Sequence, residues 1–286
     1  MPKRYGPLVG RRKLGALLRQ LREQAGYKGA DVAKEVGCTA SKISRIEGAE
    51  LTPSRAELLT MANFMEASPE QRDVLLQLLD EAKRKGWYES YEGVLPPKFA
   101  NYVGLEMDAT TLRSYEPMVI HGLLQTEEYT HALWTGGSPG EHPQDIEKLV
   151  EVRMRRKEAL TRSEAPLQMW AIIEETALRR PIGGSQVMRD QLQHLNQLTK
   201  ELPNVSILVL PTSAGAHPGV NGSFSILSFD PGESEMVYVE SQGGNLYLEK
   251  PRDLRRADAN YNHLLSEVLS SQDSAALIST IAKDFS

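Results

Sequence analysis

TASKISRIEG, residues Thr39–Gly48, has the pattern of a short helix with two unlike faces. Thr39 is a favoured N-cap residue, and Gly48 favours a left-handed turn at the helix end. Ile43 and Ile46 lie three apart and predict a narrow stripe packed on a core. The outward positions are small, hydroxylic or cationic: Ala40, Ser41, Lys42, Ser44 and Arg45. Such a face suits base edges and phosphates, although ten residues alone are equally compatible with a short solvated helix.

The residues before this stretch favour the first of those interpretations. Leu14–Ala25 has leucines at 14, 17, 18 and 21, a one-sided helical stripe that Gly26 ends. Ala30–Val36 repeats the pattern briefly, and Gly37 follows it. Helix, turn, short helix, turn and helix is the helix-turn-helix arrangement.

The run LREQAGYKGADVAKEVGCTASKISRIEGAELTPS, residues 21–54, resembles an XRE-type helix-turn-helix of the Cro/cI class. The resemblance implies that four residues read bases: Ala40, Ser41, Ser44 and Arg45. It also implies a buried ion pair between Arg22 and Glu47. Lys28-Gly29 departs from the usual Ser/Thr-Gln, so the phosphate contact is expected to pass to Lys28 or to a backbone N–H. The residues expected to contact phosphate are Lys28, Lys42, Arg11 and Arg12.

Length and composition bound the remaining possibilities. A chain of 286 residues exceeds the typical domain, so two domains are expected, and 40% apolar residues supply sizeable cores. The single cysteine, Cys38, excludes internal disulfides and fits a reducing cytoplasm. The sequence has neither a membrane-spanning apolar run nor the apolar core of a signal peptide. A cytoplasmic location without membrane contact is therefore expected.

Charge is distributed unevenly along the chain. Residues 1–65 carry 12 Lys and Arg against 6 Asp and Glu, a net +6, whereas the remainder carries 21 against 32, a net −11. A basic N-terminal region followed by an acidic remainder is typical of a double-stranded DNA-binding domain joined to an effector region. The alternative is that Lys3, Arg4, Arg11, Arg12 and Lys13 form a solvated basic tail.

Further patterns predict the domain plan. Ser54–Glu57 resembles a capping box, and Ser68-Pro69-Glu70 begins another helix, whose apolar stripe includes Val74. These complete an all-α, five-helix domain, and we assign residues 1–86 to it. Residues 87–104 form a connector in which Pro96-Pro97 ends any helix, and its aromatic content predicts that it packs on a domain.

Residues 105–286 are predicted to form a mixed α/β effector domain, which makes the chain α+β. Helical patterns come first, at Leu105–Tyr115, Thr126–Leu133 and Gln144–Thr161. About five strands follow, at Leu167–Ile173, Val205–Leu210, Phe224–Phe229, Met236–Glu240 and Leu246–Leu248. The remaining helices are predicted at Gln186–Leu202, Pro251–Ser270 and Gln272–Lys283. The sheet is most simply mixed.

Five runs in this region resemble the effector domain of the actinobacterial WhiJ-like group of XRE regulators. They are YVGLEMDATTLRSYEPMVIHGLLQTEEYTHAL, RMRRKEAL, WAIIEETALRRPIGG, LPNVSILVLP and VYVESQGGNLYLE. His121 departs from the proline usual in that group. The resemblance implies a developmental or antibiotic-linked transcriptional regulator, often encoded beside a small partner protein that binds it. It implies no established ligand or catalytic site.

The sequence predicts no enzyme, metal site or cofactor. The six histidines show no metal-ligand spacing, and no Walker, nucleophile-elbow or dinucleotide motif occurs. A nucleotide-modifying enzyme using Glu174, Glu175 and Glu240 is the least favoured alternative. The loop His217–Gly222 is a candidate ligand or partner site through His217, Gly219 and Asn221, although a plain turn is the simpler interpretation.

Two function classes remain open. One is a homodimeric DNA-binding regulator whose C-terminal domain senses a small molecule or binds a partner protein. The other is an antitoxin-like, partner-binding protein that uses DNA binding for autoregulation. A small adjacent reading frame whose product co-purifies with the chain would favour the second.

Overall fold

A computed structural model describes residues 6–91, 93–95, 99–138, 140–230, 235–241 and 244–285. The chain divides into two compact units, Met1–Glu89 and Ser90–Ser286. We call them unit 1 and unit 2. The predicted helix stop at Pro96-Pro97 and the basic residues Lys3 and Arg4 lie outside the described residues.

Unit 1 contains the predicted five helices. They are α1 (Pro7–Gln24), α2 (Gly29–Val36), α3 (Ala40–Glu47), α4 (Arg55–Phe64) and α5 (Pro69–Ala82). Helix α1 begins at Pro7, well before the predicted Leu14, because proline is well suited to the first helical position. Arg11, Arg12 and Lys13 therefore belong to a helix, and the alternative of a solvated tail is wrong for these three residues.

The core of unit 1 comes from the predicted apolar stripes. The residues at its centre are almost fully buried: Leu14, Leu18, Ile43, Ile46, Leu58, Met61, Leu75 and Leu79. Helix α4 begins with the expected capping box, since Ser54 Oγ accepts from Glu57 N at 3.2 Å and Glu57 Oε2 accepts from Ser54 N at 2.8 Å. Val74 is a correction to the stripe of α5, because 47% of it is exposed. The other members of the predicted stripe, Leu75, Leu78, Leu79 and Ala82, are buried.

The end of α3 differs from the expectation. Gly48 has φ −84°, and the left-handed conformation falls on Ala49, with φ 59°. The Gly48 amide still donates to Ser44 O at 2.8 Å, which extends the helical turn by one residue before the chain reverses. The predicted left-handed turns at Gly26 and Gly37 are present, with φ 77° and 74°.

Unit 2 is a mixed α/β domain. Its helices are α6 (Phe99–Asp108), α7 (Glu127–Gly137), α8 (Pro143–Arg156), α9 (Glu158–Thr161), α10 (Glu175–Arg179), α11 (Ser185–Glu201), α12 (Pro251–Glu267) and α13 (Ser271–Asp284). Its strands are β1 (Thr111–Glu116), β2 (Gln168–Glu174), β3 (Val205–Leu210), β4 (Phe224–Ser228), β5 (Met236–Val239) and β6 (Leu246–Leu248).

The six strands form one sheet in the order β3-β2-β1-β4-β5-β6. Strands β1, β2 and β3 pair in parallel, whereas β4, β5 and β6 join by antiparallel pairing. The predicted mixed sheet is therefore confirmed, and it gains one strand over the expected five. Strands β1 and β5 run in the same direction, since both are antiparallel to β4. Their carboxyl ends consequently lie at the same edge of the sheet.

The added strand corrects one predicted helix. Leu105–Tyr115 is not helical throughout, because α6 ends at Asp108 and Thr111–Glu116 pairs with β2 on one side and β4 on the other. The predicted helix Gln144–Thr161 is likewise divided into α8 and α9 at Lys157. The final residues of the predicted connector, from Phe99, belong to α6.

The central strands have two chemically different faces. The face with Tyr115, Ile226 and Val237 packs under α12, against Ala257, Tyr261 and Leu264, in an apolar core. The opposite face begins apolar at Leu112 and Leu227, which are cross-strand partners. It becomes polar toward the other end, where Ser114 pairs with Ser225 and Ser225 with Tyr238. A polar face beneath covering helices is unusual for central strands and marks this end of the sheet as a candidate site.

Candidate functional site

Helix α3 is positioned by local sequence features. Thr39 Oγ1 accepts from Lys42 N at 3.2 Å and caps the helix. Ile43 and Ile46 are buried in the core and fix the rotation of α3 about its axis. The opposite side carries the four predicted base-reading residues, and all four are exposed: Ala40, Ser41, Ser44 and Arg45. Helix α3 therefore presents a surface of small, hydroxylic and cationic groups.

Helix α3 is held against α1 through Glu47, which Arg19 Nε also approaches at 3.4 Å, and through a backbone contact at Gly15. Glu47 is only 8% exposed at its side chain and receives Arg22 Nε at 2.7 Å and Arg22 Nη2 at 2.9 Å. Arg22 Nη1 also donates to Tyr27 O at 2.9 Å. The carboxylate of Glu47 raises the pKa of Arg22 through these hydrogen bonds. The structure thus brings together the two residues that the XRE resemblance pairs.

Gly15 supplies the second contact, which the sequence did not predict. A Cβ at Gly15 would lie 2.7 Å from Glu47 O and 2.8 Å from Ile46 O. Because α1 touches the end of α3 backbone to backbone at this point, only glycine fits there without displacing one of the helices. The orientation of the exposed face of α3 is therefore fixed at both its core side and its carboxyl end.

Arg45 is available for an external partner. Its Nε lies 3.5 Å from Glu50 Oε2, with side chains 55% and 68% exposed. An exposed pair at this distance contributes little free energy and exchanges easily for another anion. Arg45 can therefore reach a ligand without a large cost.

The four predicted phosphate-contacting residues lie in different surroundings. Lys28 is exposed just before α2, while Arg11 and Arg12 are half-buried on α1. Arg11 Nε has no hydrogen-bond partner among the described residues. Lys42 forms an ion pair with Glu57, which lowers the pKa of Glu57 and raises that of Lys42 through a hydrogen bond. Lys42 would have to leave Glu57 before it could contact an external anion.

The candidate loop at His217–Gly222 is packed against the sheet. His217 Nδ1 accepts from Gly219 N at 3.2 Å, and His217 Nε2 lies 3.3 Å from Glu174 Oε1. A Cβ at Gly219 would overlap the ring of Tyr115, whose hydroxyl also donates to Glu174. Asn221 is exposed. The close approach of Gly219 to Tyr115 is sufficient to explain the glycine, so the loop has a structural role at this point.

The three acidic residues of the enzymatic alternative have separate environments. Glu174 accepts a hydrogen bond from the Tyr115 hydroxyl and lies within ion-pair distance of His217. Glu175 receives Arg179 Nε at 2.8 Å, a hydrogen bond that lowers the pKa of Glu175. Glu240 is exposed directly after β5. Glu174 and Glu175 are thus committed to different partners.

A cavity of about 340 Å³ lies over the polar end of the sheet in unit 2. Its lining includes Glu116 and Glu240 at the carboxyl ends of β1 and β5, and Trp134 and Arg153 from α7 and α8. Tyr238 forms part of its floor. The sequence reading missed this site. Its residues lie far apart along the chain. The one signal in the sequence is that Glu116, Arg153 and Tyr238 belong to runs that carry the family resemblance, whereas Trp134 belongs to none of them.

Arg156, which also lines this cavity, belongs to a buried ion pair. Arg156 donates from Nε to Glu106 Oε2 at 2.7 Å and from Nη2 to Glu106 Oε1 at 2.8 Å. Burial opposes both charges, but the mutual attraction prevails, so the pKa of Glu106 is lowered and that of Arg156 raised. The guanidinium also lies over the rings of Phe99 and Tyr102, at 5.1 and 5.4 Å from their centroids. The pair is closed and has little capacity to bind a further group.

His121, the residue that replaces proline in the resemblance, is buried beside the same pair. Its Nδ1 accepts from Leu123 N at 3.2 Å and its Nε2 lies 3.4 Å from the Tyr102 hydroxyl. Burial lowers the pKa of His121 to about 3, which leaves the ring neutral near pH 7. His121 therefore supports the loop before α7 without adding charge to the cavity.

No helix in the described part of the chain is long and apolar enough to cross a membrane.

Comparison with known proteins identifies both regions of the chain. A family model described as a helix-turn-helix domain matches residues 13–75, which cover most of α1, all of α2–α4 and the first half of α5. Such a domain suggests a DNA-binding regulator rather than an enzyme. A search of curated proteins and a search of solved structures gave no match. A second family model, described as a domain of unknown function (DUF5753), matches residues 99–280, and the chain belongs to this family.

Proposed function

We propose that this chain is a sequence-specific, DNA-binding transcriptional regulator of the XRE type. In this proposal residues 1–86 bind double-stranded DNA, residues 87–104 connect, and residues 105–286 sense a small molecule or bind a small partner protein. The helix-turn-helix match over residues 13–75 supports the first assignment. The acidic charge of the chain beyond residue 65 is unfavourable for direct DNA contact and supports an effector role there.

The observation that carries the proposal is the exposed face of α3. An α-helix with its side chains is about 10–12 Å wide and fits the major groove, which is about 12 Å wide. Ala40, Ser41, Ser44 and Arg45 would then face base edges, where serine can donate or accept and arginine can bind guanine in a bidentate manner. The core isoleucines, Gly15 and the Arg22–Glu47 pair hold this face in one orientation, so little ordering is required on binding.

Phosphate contacts would set the register of α3 in the groove. Lys28, Arg11 and Arg12 are proposed for this role, and Lys42 joins them if it exchanges Glu57 for a phosphate. Such contacts add affinity that falls with salt, without reading sequence.

The wider assignment extends the sequence resemblance. The chain is proposed to be a cytoplasmic protein of the actinobacterial WhiJ-like group and to act as a homodimer. Two helix-turn-helix domains bound to the two halves of a palindromic site multiply the weak specificity of one domain. An antitoxin-like, partner-binding role with autoregulation stays the alternative. Co-purification of the product of an adjacent small reading frame, together with loss of cell viability when this chain alone is removed, would favour that alternative.

Selection of bound sequences from a random oligonucleotide pool tests the central proposal. The full chain should enrich a defined motif, and Arg45→Ala should weaken binding to that motif by about 1–3 kcal/mol with a much smaller loss on random DNA. Arg84→Ala, at an exposed position after α5, serves as the control for loss of one positive charge. Absence of any enriched motif would overturn sequence-specific binding. An equal loss on both DNAs would make Arg45 a phosphate contact.

A further inference from the structure

The cavity in unit 2 has more polar groups than a packing defect would have. Its floor is the polar face of β4 and β5, where Ser225 and Tyr238 are cross-strand partners. The ring of Tyr102 stacks on Tyr238 with centroids 4.0 Å apart, and Phe99 adds further aromatic surface. A volume of about 340 Å³ lies within the range of small-molecule sites, which begins near 300 Å³. Aromatic walls with a few converging polar groups are typical of such sites.

Arg153 is the cation of this cavity that forms no ion pair with any described residue. It lies one turn before Arg156 on α8, and Arg156 is paired with Glu106 through two hydrogen bonds. Arg153 instead donates from Nη1 to the neutral side chain of Gln125, at 3.2 Å. Its guanidinium lies 5.6 Å from the ring centroid of Trp134. Since a guanidinium has five N–H donors, most of its donor capacity is unused among the described residues.

Burial and the charge of Arg156 lower the pKa of Arg153 to about 10, so the group is still a cation at neutral pH. Glu240 and Glu106 attract this cation but form no ion pair with it among the described residues, and a bound anion would relieve the desolvation cost that remains. The site is therefore electrostatically suited to a negatively charged group.

Two other donors of the cavity are also without partners. The Trp134 Nε1 and Tyr238 Oη atoms are buried and make no hydrogen bond to any described residue. Indole N–H can only donate, and buried donors in folded proteins are nearly always paired. Both side chains line the cavity, so a ligand that presents acceptor oxygens would satisfy them.

The two carboxyl groups that line the cavity, Glu116 and Glu240, lie in different environments. Burial, reinforced by the charge of Glu240, raises the pKa of Glu116 to about 8, and Glu116 is therefore mainly protonated at pH 7. A protonated carboxyl adds one more donor. Glu240 is exposed at the edge of the site, and its charge acts on both Glu116 and Arg153.

We propose that this cavity binds a small aromatic carboxylic acid as its anion, with the carboxylate on Arg153 and the ring against Trp134 and Tyr238. The planar carboxylate matches the guanidinium fork in a way that a neutral amide or an amine does not. The inference rests on the proposed effector role of unit 2 and names its ligand class.

Calorimetric titration of the full chain in the absence of DNA tests this inference. The probes are phenylacetate, 4-hydroxyphenylacetate and indole-3-acetate, each compared with its neutral amide and with the amine of the same skeleton. At least one carboxylate should bind at about millimolar concentration or below, and its amide and amine should bind at least about tenfold more weakly. Failure of all three carboxylates to bind at about 10 mM overturns the proposal, as does preferential binding of an amine.

Variants locate the binding. Arg153→Gln should weaken carboxylate binding at least about tenfold, Arg153→Lys should weaken it less, and Trp134→Phe should weaken it by a smaller factor still. Arg155→Gln on the same helix is the matched control, because Arg155 is exposed and does not line the cavity. Circular dichroism verifies that each variant is folded. Equal affinity in wild type and Arg153→Gln would show that the anion binds elsewhere, and the inference would fail.

DNA binding is measured separately, on the selected motif and without carboxylate. Motif binding without carboxylate binding would remove the inference and leave the proposed regulator intact. Carboxylate binding without motif binding would support the inference and overturn the proposed sequence-specific regulator.

Discussion

Replacement of Glu47 by glutamine should destabilise unit 1 and loosen α3. The Glu47 carboxylate accepts two charge-assisted hydrogen bonds from Arg22, at 2.7 and 2.9 Å, and the side chains are 8% and 14% exposed. Glutamine keeps the shape, but its amide N–H₂ would replace one acceptor, so an N–H would face an N–H of Arg22. The charge of Arg22 would then be left without its main partner.

The magnitude follows from burial. Loss of one partner from a fully buried pair costs about 3–5 kcal/mol. Arg22 retains its bond to Tyr27 O and has some access to water, which places the expected loss at the lower end, about 2–3 kcal/mol. Since each 1.4 kcal/mol is a factor of ten, the opening equilibrium of unit 1 should rise by about 30- to 150-fold.

Amide hydrogen exchange in the full chain measures this opening directly. The amides of Ile43 and Ile46, in the buried stripe of α3, should lose protection in Glu47→Gln by that factor. Glu50→Gln is the control, since Glu50 is 68% exposed and pairs loosely with Arg45. A change below about 0.5 kcal/mol in Glu47→Gln would refute the argument.

A double-mutant cycle isolates the pair itself. Arg22→Met with Glu47→Met should cost clearly less than the sum of the two single replacements, because no charge is then stranded. Strict additivity would show that the two residues are not coupled, whatever the size of each single effect.

Two further predictions concern unit 2 and the assembly. Glu116 has its pKa raised from 4.5 to about 8 in the folded chain, so between those values the folded state binds the proton more tightly and stability falls as pH rises. Glu116→Gln should therefore stabilise the chain more at pH 9 than at pH 5, by up to a few kcal/mol in urea unfolding, and an equal effect at both pH values would contradict the assignment. The full chain should sediment as a dimer at about micromolar concentration, while residues 1–86 alone should be monomeric and bind the selected motif weakly, with affinity partly restored by a dimerisation tag. A monomeric full chain whose 1–86 fragment still binds the motif tightly would remove the dimer proposal.

The helices of unit 1 could be read from the sequence because their signals are local. Thr39, Ser54 and Ser68 cap helices through residues only three positions away, and the apolar stripes have the period of a helix. The sequence could not place the reversal after α3 at Ala49, since the one extra helical residue, Gly48, depends on how α3 ends against α1. The contact at Gly15 was missed for the same reason: nothing near Gly15 in sequence shows that Glu47 lies against it.

The sequence of unit 2 determined a mixed sheet with helices before and after it, because β-branched and aromatic runs bounded by turns are a local pattern. It did not identify β1. Thr111–Glu116 continues a helical periodicity from Leu105, and its identity as a strand comes from pairing with β2 and β4, which are distant in sequence. The cavity depends on tertiary structure to a still greater degree. Glu116, Trp134, Arg153 and Tyr238 meet only because the register of β4 and β5 and the packing of α7 and α8 bring four separate segments together. Capping residues and the spacing of apolar side chains describe one segment at a time, and they do not show how far that segment lies from another in the folded chain. The place where a ligand would bind was therefore decided only by the tertiary structure.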